Sequence, residues 1–215
     1  MGTYINKGNE GFRRALNGEY VDKTEMISII NETLNTERAF TCVTRCRRFG
    51  KSMAAKMLCA YYDKSCDSHS LFNGLKISHA SSFKQHLNKY TVIFLDITDF
   101  TTKYSKDKSI VTLIQEDIIA ELLEAFPEVQ RNERDDLMDI LIKVRELTEE
   151  KFIMIIDEWD AICRECNEYP DTMDAYVNLL RRLFKGGNSD RVFAGVYITG
   201  ILPIKKYKTE SGRRL

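Results

Sequence analysis

The chain has 215 residues, 43% of them hydrophobic and 30% charged, with three prolines and eleven glycines, which is typical of one folded domain and excludes a disordered linker. Its 32 Lys and Arg residues equal its 32 Asp and Glu residues, so any contact with a polyanion such as nucleic acid would need a local patch. The longest apolar run, Phe152 to Ile156, is far shorter than the about 20 residues of a membrane-spanning helix, and no signal peptide is recognisable, so we predict a cytoplasmic protein with no membrane partner.

Four apolar runs along the chain predict buried β-strands. They span Ala39 to Thr44, Thr91 to Ile97, Phe152 to Asp157 and Arg191 to Thr199. Continuous apolar runs, as opposed to alternating ones, are typical of parallel strands that helices cover on both faces.

Helical periodicity occupies segments between these strands. Asp171 or Thr172 is the predicted cap of the last such helix, and Gly186 and Gly187 are its predicted stop. Because strands and helices alternate, we predict an α/β fold with a mainly parallel sheet and right-handed crossovers. The periodic residues are Met53, Ala54, Met57, Leu58 and Tyr61, then Ile110, Ile114, Ile118 and Leu122, then Leu137, Ile140, Leu141 and Val144, and finally Tyr176, Leu179, Leu180 and Leu183.

The loop after the first predicted strand carries a phosphate-binding pattern. Arg45 to Ser52 has the length of GxxxxGK[ST], although Arg45 replaces the first glycine, and a solvated basic turn is the alternative interpretation. A strand before the loop and a helix after it favour a phosphate cradle, because backbone N–H groups then point at the phosphates. We predict that Lys51 contacts the β- and γ-phosphates and that Ser52 ligates Mg²⁺. The predicted nucleotide-binding residues are Arg45, Arg47, Arg48, Phe49, Gly50, Lys51, Ser52 and Met53.

The third predicted strand ends in two acids, Asp157 and Glu158. A carboxylate at this end of a strand lies beside the phosphate loop in such sheets, as in a Walker B motif. We therefore predict that Asp157 holds Mg²⁺ through water and that Glu158 is the catalytic base that deprotonates the attacking water. Acids also occur in ordinary turns at strand ends, and Asp160 either assists or caps.

The fourth predicted strand ends in Thr199 and Gly200. In ATPases with an extra strand between the phosphate-loop strand and the Walker B strand, a polar residue at this tip contacts the γ-phosphate or the water. We predict that role for Thr199, with an ordinary strand-end threonine as the alternative. Lys51, Glu158 and Thr199 are thus the predicted catalytic residues, and ATP and Mg²⁺ are the predicted cofactors. The predicted fold is a P-loop NTPase three-layer sandwich.

The remaining cysteines and acids predict no further metal or nuclease chemistry. Cys163 and Cys166 form the only CxxC pair, and a zinc site would need a second pair of ligands. Asp96 and Asp99 follow the second predicted strand without a Glu-x-Lys partner, so nuclease activity of this chain is not expected. We predict that both acids face solvent.

Several separated motifs resemble, in order, those of the bacterial AAA-ATPase-like proteins. They are Tyr20 to Thr24, Thr44 to Ser52, Ile156 to Asp160 and Ile198 to Ile201, and the resemblance covers nearly the whole chain. It implies an ATPase domain, which members of the family often join to a C-terminal nuclease-like domain of the PD-(D/E)XK type. It also implies that the segment from Tyr20 to Thr24 lies near the nucleotide base.

Two positions depart from the family pattern. Cys46 stands where proline is usual, and Trp159 stands where tyrosine is usual. The loss of proline makes the loop less rigid, which would weaken nucleotide binding without abolishing it. Arg45 matches the family. ATP is favoured over GTP by the resemblance and because the chain carries no Asn/Thr-Lys-x-Asp guanine signature.

The resemblance also suggests a division of the chain. We assign residues 1–38 to an N-terminal family segment, 39–200 to the nucleotide-binding core and 201–215 to a truncated tail. The tail would stop before the fifth strand and the helical lid that are usual in sheets of this class. Slow or absent turnover would follow, because phosphoryl transfer relies on a closed site that excludes water.

Two functions follow from these residues. The first is hydrolysis of ATP to ADP and phosphate with Mg²⁺. In a homo-oligomer, Arg181 or Arg182 of a neighbouring copy would reach the γ-phosphate; the alternative is that both are solvated surface arginines. The second is a non-hydrolysing nucleotide-sensing or regulatory module linked to nucleic-acid processing. Nucleic acid would then bind the basic loop or a missing C-terminal domain. The balanced charge favours the first function.

Overall fold

The computed structural model describes residues 2–104, 107–166 and 169–202, so most of the predicted tail, 203–215, lies outside the described residues. Helices and strands alternate along this part of the chain. They are α1 (Glu10–Leu16), α2 (Glu25–Asn31), β1 (Phe40–Thr44), α3 (Lys51–Tyr62), α4 (His69–Phe72), a 3-10 helix (Lys76–His79), α5 (Phe83–His86), β2 (Thr91–Asp96), α6 (Ile97–Tyr104), α7 (Ile110–Ala125), α8 (Leu137–Thr148), β3 (Phe152–Asp157), α9 (Ala161–Glu165), α10 (Pro170–Phe184), α11 (Ser189–Val192) and β4 (Phe193–Gly200).

The four strands form one parallel sheet in the order β1-β4-β3-β2. β4, the last strand along the chain, therefore lies between the phosphate-loop strand and the strand with the two acids. The register pairs Val43 with Thr199 and Asp96 with Asp157, so the carboxyl ends of the strands meet at one edge. Ligands of open parallel sheets bind outside this edge.

Helices cover both faces of the sheet and enclose two apolar cores. Side chains such as Ile93, Met154 and Val196 pack with residues of α6 to α11 on one face. Val92 and Ile155 pack with residues of α1 to α5 on the other face. Burial from both sides explains the continuous apolar runs. The predicted three-layer α/β sandwich with a parallel sheet is confirmed.

The N-terminal segment packs against the same core as α3. Phe12 of α1 stacks on Phe72 with ring centroids 5.0 Å apart and meets Tyr20 edge-on at 5.5 Å. Ile5 forms an isolated antiparallel bridge with Ile93 of β2. The segment before β1 is thus tied to the sheet through side chains and backbone.

Four predicted strand boundaries differ by one or two residues from those observed, at the start of β1, the end of β2 and both ends of β4. Two of these differences have a local reason. β4 begins at Phe193, later than predicted, because the N–H of Val192 bonds to the carbonyl of Asn188 and closes the short helix α11. β2 ends at Asp96, whose carboxylate accepts the N–H of Thr98 at 3.0 Å, so that the helix α6 starts directly after it. Side-chain acceptors of this kind compete with continuation of a strand.

The predicted cap of α10 is also wrong. The helix begins at Pro170 with Tyr169 as its N-cap residue, so Asp171 lies inside the first turn. Proline suits this first position because its φ angle is already helical. The hydroxyl of Thr172 is buried and donates to the carbonyl of Lys108 at 3.2 Å.

Candidate nucleotide-binding site

The phosphate loop, residues 45–50, connects β1 to α3 and turns sharply before the helix. Gly50 is the N-cap residue of α3 and has a φ angle of 79°, while Arg48 has a φ angle of 68°. Glycine adopts left-handed backbone at little cost, whereas a residue with a Cβ is strained there. Lys51 and Ser52 consequently occupy the first turn of α3, where backbone N–H groups have no partner within the helix.

The side chain of Lys51 is buried although it carries a charge. Only 5% of it is exposed, and its ammonium lies 3.4 Å from Oε1 of Glu158. The ammonium also donates to the carbonyl of Cys46 at 3.2 Å. A buried cation needs such partners to offset its lost hydration. The sheet therefore brings together the phosphate-loop lysine and the predicted base, which are distant in sequence.

The residues after β3 form a buried acidic turn, residues 157–160. Asp157 is only 1% exposed, and its Oδ1 accepts hydrogen bonds from the hydroxyl of Thr199 and from the N–H of Glu158. Glu158 has a φ angle of 50°, which is a strained backbone conformation for a residue with a side chain. Asp157, Glu158 and Thr199 thus meet where the sequence predicted.

A second cation, Arg164 of α9, contacts the acidic turn. Its Nη2 donates to Oε2 of Glu158 at 2.7 Å, so each carboxylate oxygen of Glu158 faces a cation. Its Nε lies 3.3 Å from Oδ2 of Asp160, an ion-pair contact without hydrogen-bond geometry. Sequence analysis missed Arg164, although its spacing of four residues from Asp160 is the signal that could have found it.

Asp160 joins the acidic turn to the residues that follow β4. Its carboxylate is fully buried and accepts the N–H groups of Ile201 at 3.2 Å and Leu202 at 2.9 Å. Asp160 is the N-cap residue of α9, but its side chain makes no cap hydrogen bond. We call residues 157–160 together with 199–202 the strand-end junction. The Asp160 carboxylate thus accepts hydrogen bonds within the junction and does not cap α9.

Trp159 fills the other side of the strand-end junction. Its indole N–H donates to the carbonyl of Leu202 at 3.3 Å, and its backbone N–H donates to the carbonyl of Thr199 at 2.9 Å. Gly200 lies directly against the indole, because a Cβ there would be 2.4 Å from Cδ1 of Trp159. The large ring requires glycine at that position.

A cavity of about 470 Å³ opens between the phosphate loop and the acidic turn. The predicted nucleotide-binding residues Arg45 and Phe49 are exposed and do not line it within the described part of the chain, and the N–H of Arg45 donates to the carbonyl of Gly200 at 3.2 Å. The cavity is lined by Arg47, Arg48, Gly50, Lys51, Ser52, Met53, Thr98, Glu158, Arg164 and Glu165.

A second cavity of about 280 Å³ lies beside the first and shares residues with it. Lys23 lines it, and its ammonium donates to the carbonyl of Phe49 at 3.3 Å. The segment that was expected to lie near the nucleotide base is therefore next to the phosphate loop. The lining residues are Glu19, Tyr20, Val21, Lys23, Arg48, Phe49, Gly50, Met53, Ala54 and Met57.

A family model described as Predicted AAA-ATPase matches residues 10–209. The chain belongs to this AAA-ATPase-like family. Membership supports nucleotide binding in the broad sense and confirms the resemblance found in the sequence motifs. No curated protein and no solved structure matches the chain. None of the helices in the described ranges has the length and apolar character needed to cross a membrane.

Ser52 and Asp157 of this AAA-ATPase-like chain are oxygen donors of the type that binds magnesium together with water and substrate phosphates. Ser52, in the first turn of α3, lines the cavity, whereas Asp157, at the end of β3, is only 1% exposed and is not among the residues that line it. Asp96 is adjacent to Asp157, and burial together with the charges of Asp157 and Asp99 raises the pKa of its carboxyl. A divalent cation would relieve this repulsion. Asp96 is half-buried, so the prediction that it faces solvent is wrong.

The described residues contain no cluster of side chains arranged to hold a metal ion. Within 2–104, 107–166 and 169–202, no group of three or more His, Cys, Asp or Glu side chains could hold a metal ion. Cys163 and Cys166 are both buried and not joined in a disulfide. These residues therefore do not form a site in which protein side chains supply most of the metal ligands. A site in which phosphate and water supply most of the ligands needs only one or two side chains.

The two arginines considered as arginine fingers differ in their surroundings. Arg182 donates to Asp136 at 2.8 Å and to Asp139 at 2.7 Å, which are the capping pair at the start of α8. Arg181 is exposed and donates to Asn178 at 3.1 Å on its own helix. Arg182 is thus engaged within the chain, while Arg181 keeps a surface position from which a partner could be reached.

Proposed function

We propose that this AAA-ATPase-like chain binds ATP with Mg²⁺ at the phosphate loop and hydrolyses it to ADP and phosphate. The observation that carries the proposal is the contact of 3.4 Å between the buried ammonium of Lys51 and Glu158 at the wall of the larger cavity. A cation at a helix N-terminus and a carboxylate beside it match the two chemical tasks of phosphate binding and activation of water.

Phosphate binding is assigned to the phosphate loop and the first turn of α3. A triphosphate would offer oxygens to Lys51 in place of the Cys46 carbonyl and the Glu158 carboxylate that it contacts now. The N–H groups at the start of α3, which have no partner within the helix, would donate to the same anion. Arg47 and Arg48 line the cavity and add positive charge at its rim.

Magnesium is assigned to Ser52 and Asp157. When bound, the ion neutralises charge on the β- and γ-phosphate oxygens. The Thr199 hydroxyl donates to Asp157 and so fixes the orientation of this carboxylate. Thr199 is therefore proposed to act on Asp157, and its predicted contact with the γ-phosphate or the water would come in addition.

Glu158 is proposed as the base. The oxygen of a water molecule attacks the γ-phosphorus, the bond from that phosphorus to the ADP oxygen breaks, and a proton of the water passes to the Glu158 carboxylate. The nucleotide base would lie in the smaller cavity. Tyr20, Met53 and Met57 there give it an apolar surface next to the phosphate loop.

A non-hydrolysing nucleotide sensor is the second candidate function, and one observation favours it. Both carboxylate oxygens of Glu158 face cations, Lys51 and Arg164, so neither oxygen is free to contact a water molecule while both contacts last. If nucleotide binding left both contacts in place, the chain would bind without turnover. Nucleic acid bound by the exposed arginines of the phosphate loop belongs to this candidate.

Binding is tested by calorimetry with Mg-ATP and Mg-GTP on the wild type and on Lys51→Ala. We expect ATP binding that weakens at least about tenfold in Lys51→Ala, because a hydrogen bond between charged groups contributes about 1.5–3 kcal/mol. Lys56→Ala is the matched control, since Lys56 lies on the same helix but is exposed. Absence of binding to either nucleotide by the wild type would contradict the proposal.

Turnover is tested by phosphate release from the same samples. Glu158→Gln should lower the rate by about 10²–10⁴-fold while ATP binding persists, because glutamine cannot accept the proton. Wild-type binding without phosphate release would favour the nucleotide sensor. A rate that is unchanged in Glu158→Gln would remove Glu158 from the mechanism.

A further inference from the structure

Arg164 is built into the wall of the larger cavity on a short helix that begins directly after the acidic turn. Its side chain is 19% exposed and lies between two carboxylates, those of Glu158 and Asp160. The first contact is a hydrogen bond of 2.7 Å to Oε2 of Glu158. The guanidinium therefore reaches the proposed base from the side opposite to Lys51.

The two cations hold Glu158 unequally. Lys51 is 3.4 Å from Oε1 and has the Cys46 carbonyl as a second partner, so phosphate oxygens can replace both of its contacts. Arg164 also contacts Asp160, whose buried carboxylate is held by the backbone of Ile201 and Leu202. A guanidinium anchored to a fixed buried carboxylate remains in position when the lysine moves.

We infer that Arg164 is a positioning residue, which holds Glu158 by Oε2 so that Oε1, once Lys51 has turned to the phosphates, faces the attacking water. The inference rests on the proposed ATPase function. In the transfer step the water proton passes to Oε1, the oxygen–phosphorus bond forms and the bond to ADP breaks. Arg164 keeps its own protons and acts only through the orientation of the carboxylate.

The competing role for Arg164 is direct binding of a phosphate, since it lines the same cavity. The contacts favour positioning, because Nη2 is hydrogen-bonded to Glu158 and Nε faces Asp160. The two roles differ in what they do to kinetics. A residue that binds phosphate lowers ATP affinity when removed, whereas one that orients the base lowers kcat at saturating ATP.

The experiment is a double-mutant cycle of Arg164→Ala and Glu158→Gln, with kcat and KM for Mg-ATP measured on each variant. We expect Arg164→Ala to lower kcat by about 10–100-fold with KM changed less than about threefold, since misplacement of a catalytic group by 1 Å can cost about 10²-fold. In the Glu158→Gln background the same substitution should change kcat less than about twofold, because the group that it positions is already absent. Arg164→Lys should restore part of the rate.

Controls separate positioning from loss of the fold. Arg131→Ala removes an arginine that pairs with Glu116 at 2.6 Å, and it should leave kcat and KM unchanged. Equal losses from Arg164→Ala in both backgrounds, or a raised KM at unchanged kcat, would overturn the inference and leave the ATPase standing. A wild type that binds ATP without turnover would overturn both. Calorimetric ATP binding by Arg164→Ala verifies an intact site in that variant.

Discussion

The phosphate loop lines the larger cavity and the strand-end junction reaches it through Glu158, but the two differ in how they are held. The side chains of the loop are exposed, with Phe49 63% exposed, and two of its residues have left-handed backbone. In the junction, Asp157 and Asp160 are almost completely buried and each accepts more than one hydrogen bond. The junction is thus held together by contacts within the chain, whereas phosphate would complete the contacts of the loop.

This difference separates two kinds of variant. Changes in the strand-end junction should lower the free energy of unfolding, because they leave buried groups without partners or create clashes. Changes in the phosphate loop should lower nucleotide affinity with a smaller effect on stability. Each of the following variants tests one side of this contrast.

The largest loss of stability is expected for Asp160→Ala. The substitution leaves Arg164 without one of its carboxylates and leaves the N–H groups of Ile201 and Leu202 without their acceptor. We expect unfolding in urea to show a loss of about 3–5 kcal/mol. Asp99→Ala, at an exposed position, is the control and should change stability by about 0.5 kcal/mol or less. A loss below about 1 kcal/mol for Asp160→Ala would mean that the contacts of Asp160 do not hold the junction together.

A smaller loss is expected for Gly200→Ala. The new Cβ would lie 2.4 Å from Trp159, so the indole must shift inside a packed core, which costs about 1–3 kcal/mol. Gly187→Ala is the matched control, because a Cβ there meets nothing within 4 Å. Thermal unfolding of both variants checks the comparison. Equal melting temperatures would show that the contact with Trp159 adapts without strain.

Gly50→Ala tests the phosphate loop. The residue has a φ angle of 79°, so a Cβ strains the backbone by about 1–2 kcal/mol. Gly74→Ala is a control with the same type of strain, at a φ angle of 83° and outside the cavities described above. Both variants should lose similar stability, but only Gly50→Ala should raise the Kd for Mg-ATP, by about tenfold or more. Equal affinities would contradict the assigned phosphate site.

The smallest effect is expected for Asp96→Asn and depends on pH. Burial and the charges of Asp157 and Asp99 raise the pKa of Asp96 above the ordinary value of 3.8, so its ionised form opposes folding. Wild-type stability therefore falls as pH rises from the unfolded pKa through the folded one. Asp96→Asn should be slightly more stable than the wild type at neutral pH, and this gain should vanish below about pH 3.8, where both are neutral.

Added Mg²⁺ provides a second test of the Asp96→Asn variant. A divalent cation at Asp157 would offset the repulsion, so added Mg²⁺ should narrow the stability difference between Asp96→Asn and the wild type at neutral pH. Urea unfolding at several pH values, with and without Mg²⁺, measures both effects. A gain that persists unchanged at low pH would show that the charge of Asp96 is not its cause.

The sequence predicted those parts of the fold and of the site that follow local patterns. Apolar runs located all four strands, and the loop before Lys51 and the acids after β3 identified the residues that the sheet brings together. Contacts that depend on the tertiary structure were not predicted. The burial of Asp96 beside Asp157 depends on strand order, and the ion pair of Arg164 with Glu158, which are six residues apart, depends on side-chain direction.

The predicted end of β2 was wrong because a side chain bonds to the backbone nearby. The carboxylate of Asp96 stops β2 by accepting the Thr98 N–H, and an apolar pattern does not contain this information. Asp160 is a similar case. Its position before a helix suggested a cap, whereas its buried carboxylate accepts N–H groups that follow another strand. Tertiary contacts decided the role of both acids.

The hydrogen bonds that Asp160 accepts from the N–H groups of Ile201 and Leu202 should slow amide hydrogen exchange at these two residues. These two residues lie beyond the last hydrogen-bonded pair of β4, yet their N–H groups donate to a carboxylate with no exposed surface. Exchange with solvent requires the acceptor to be released. The two amides should therefore exchange only as fast as the acidic turn opens. Their exchange rates would then measure how often the turn that carries Glu158 opens, although neither amide belongs to the sheet.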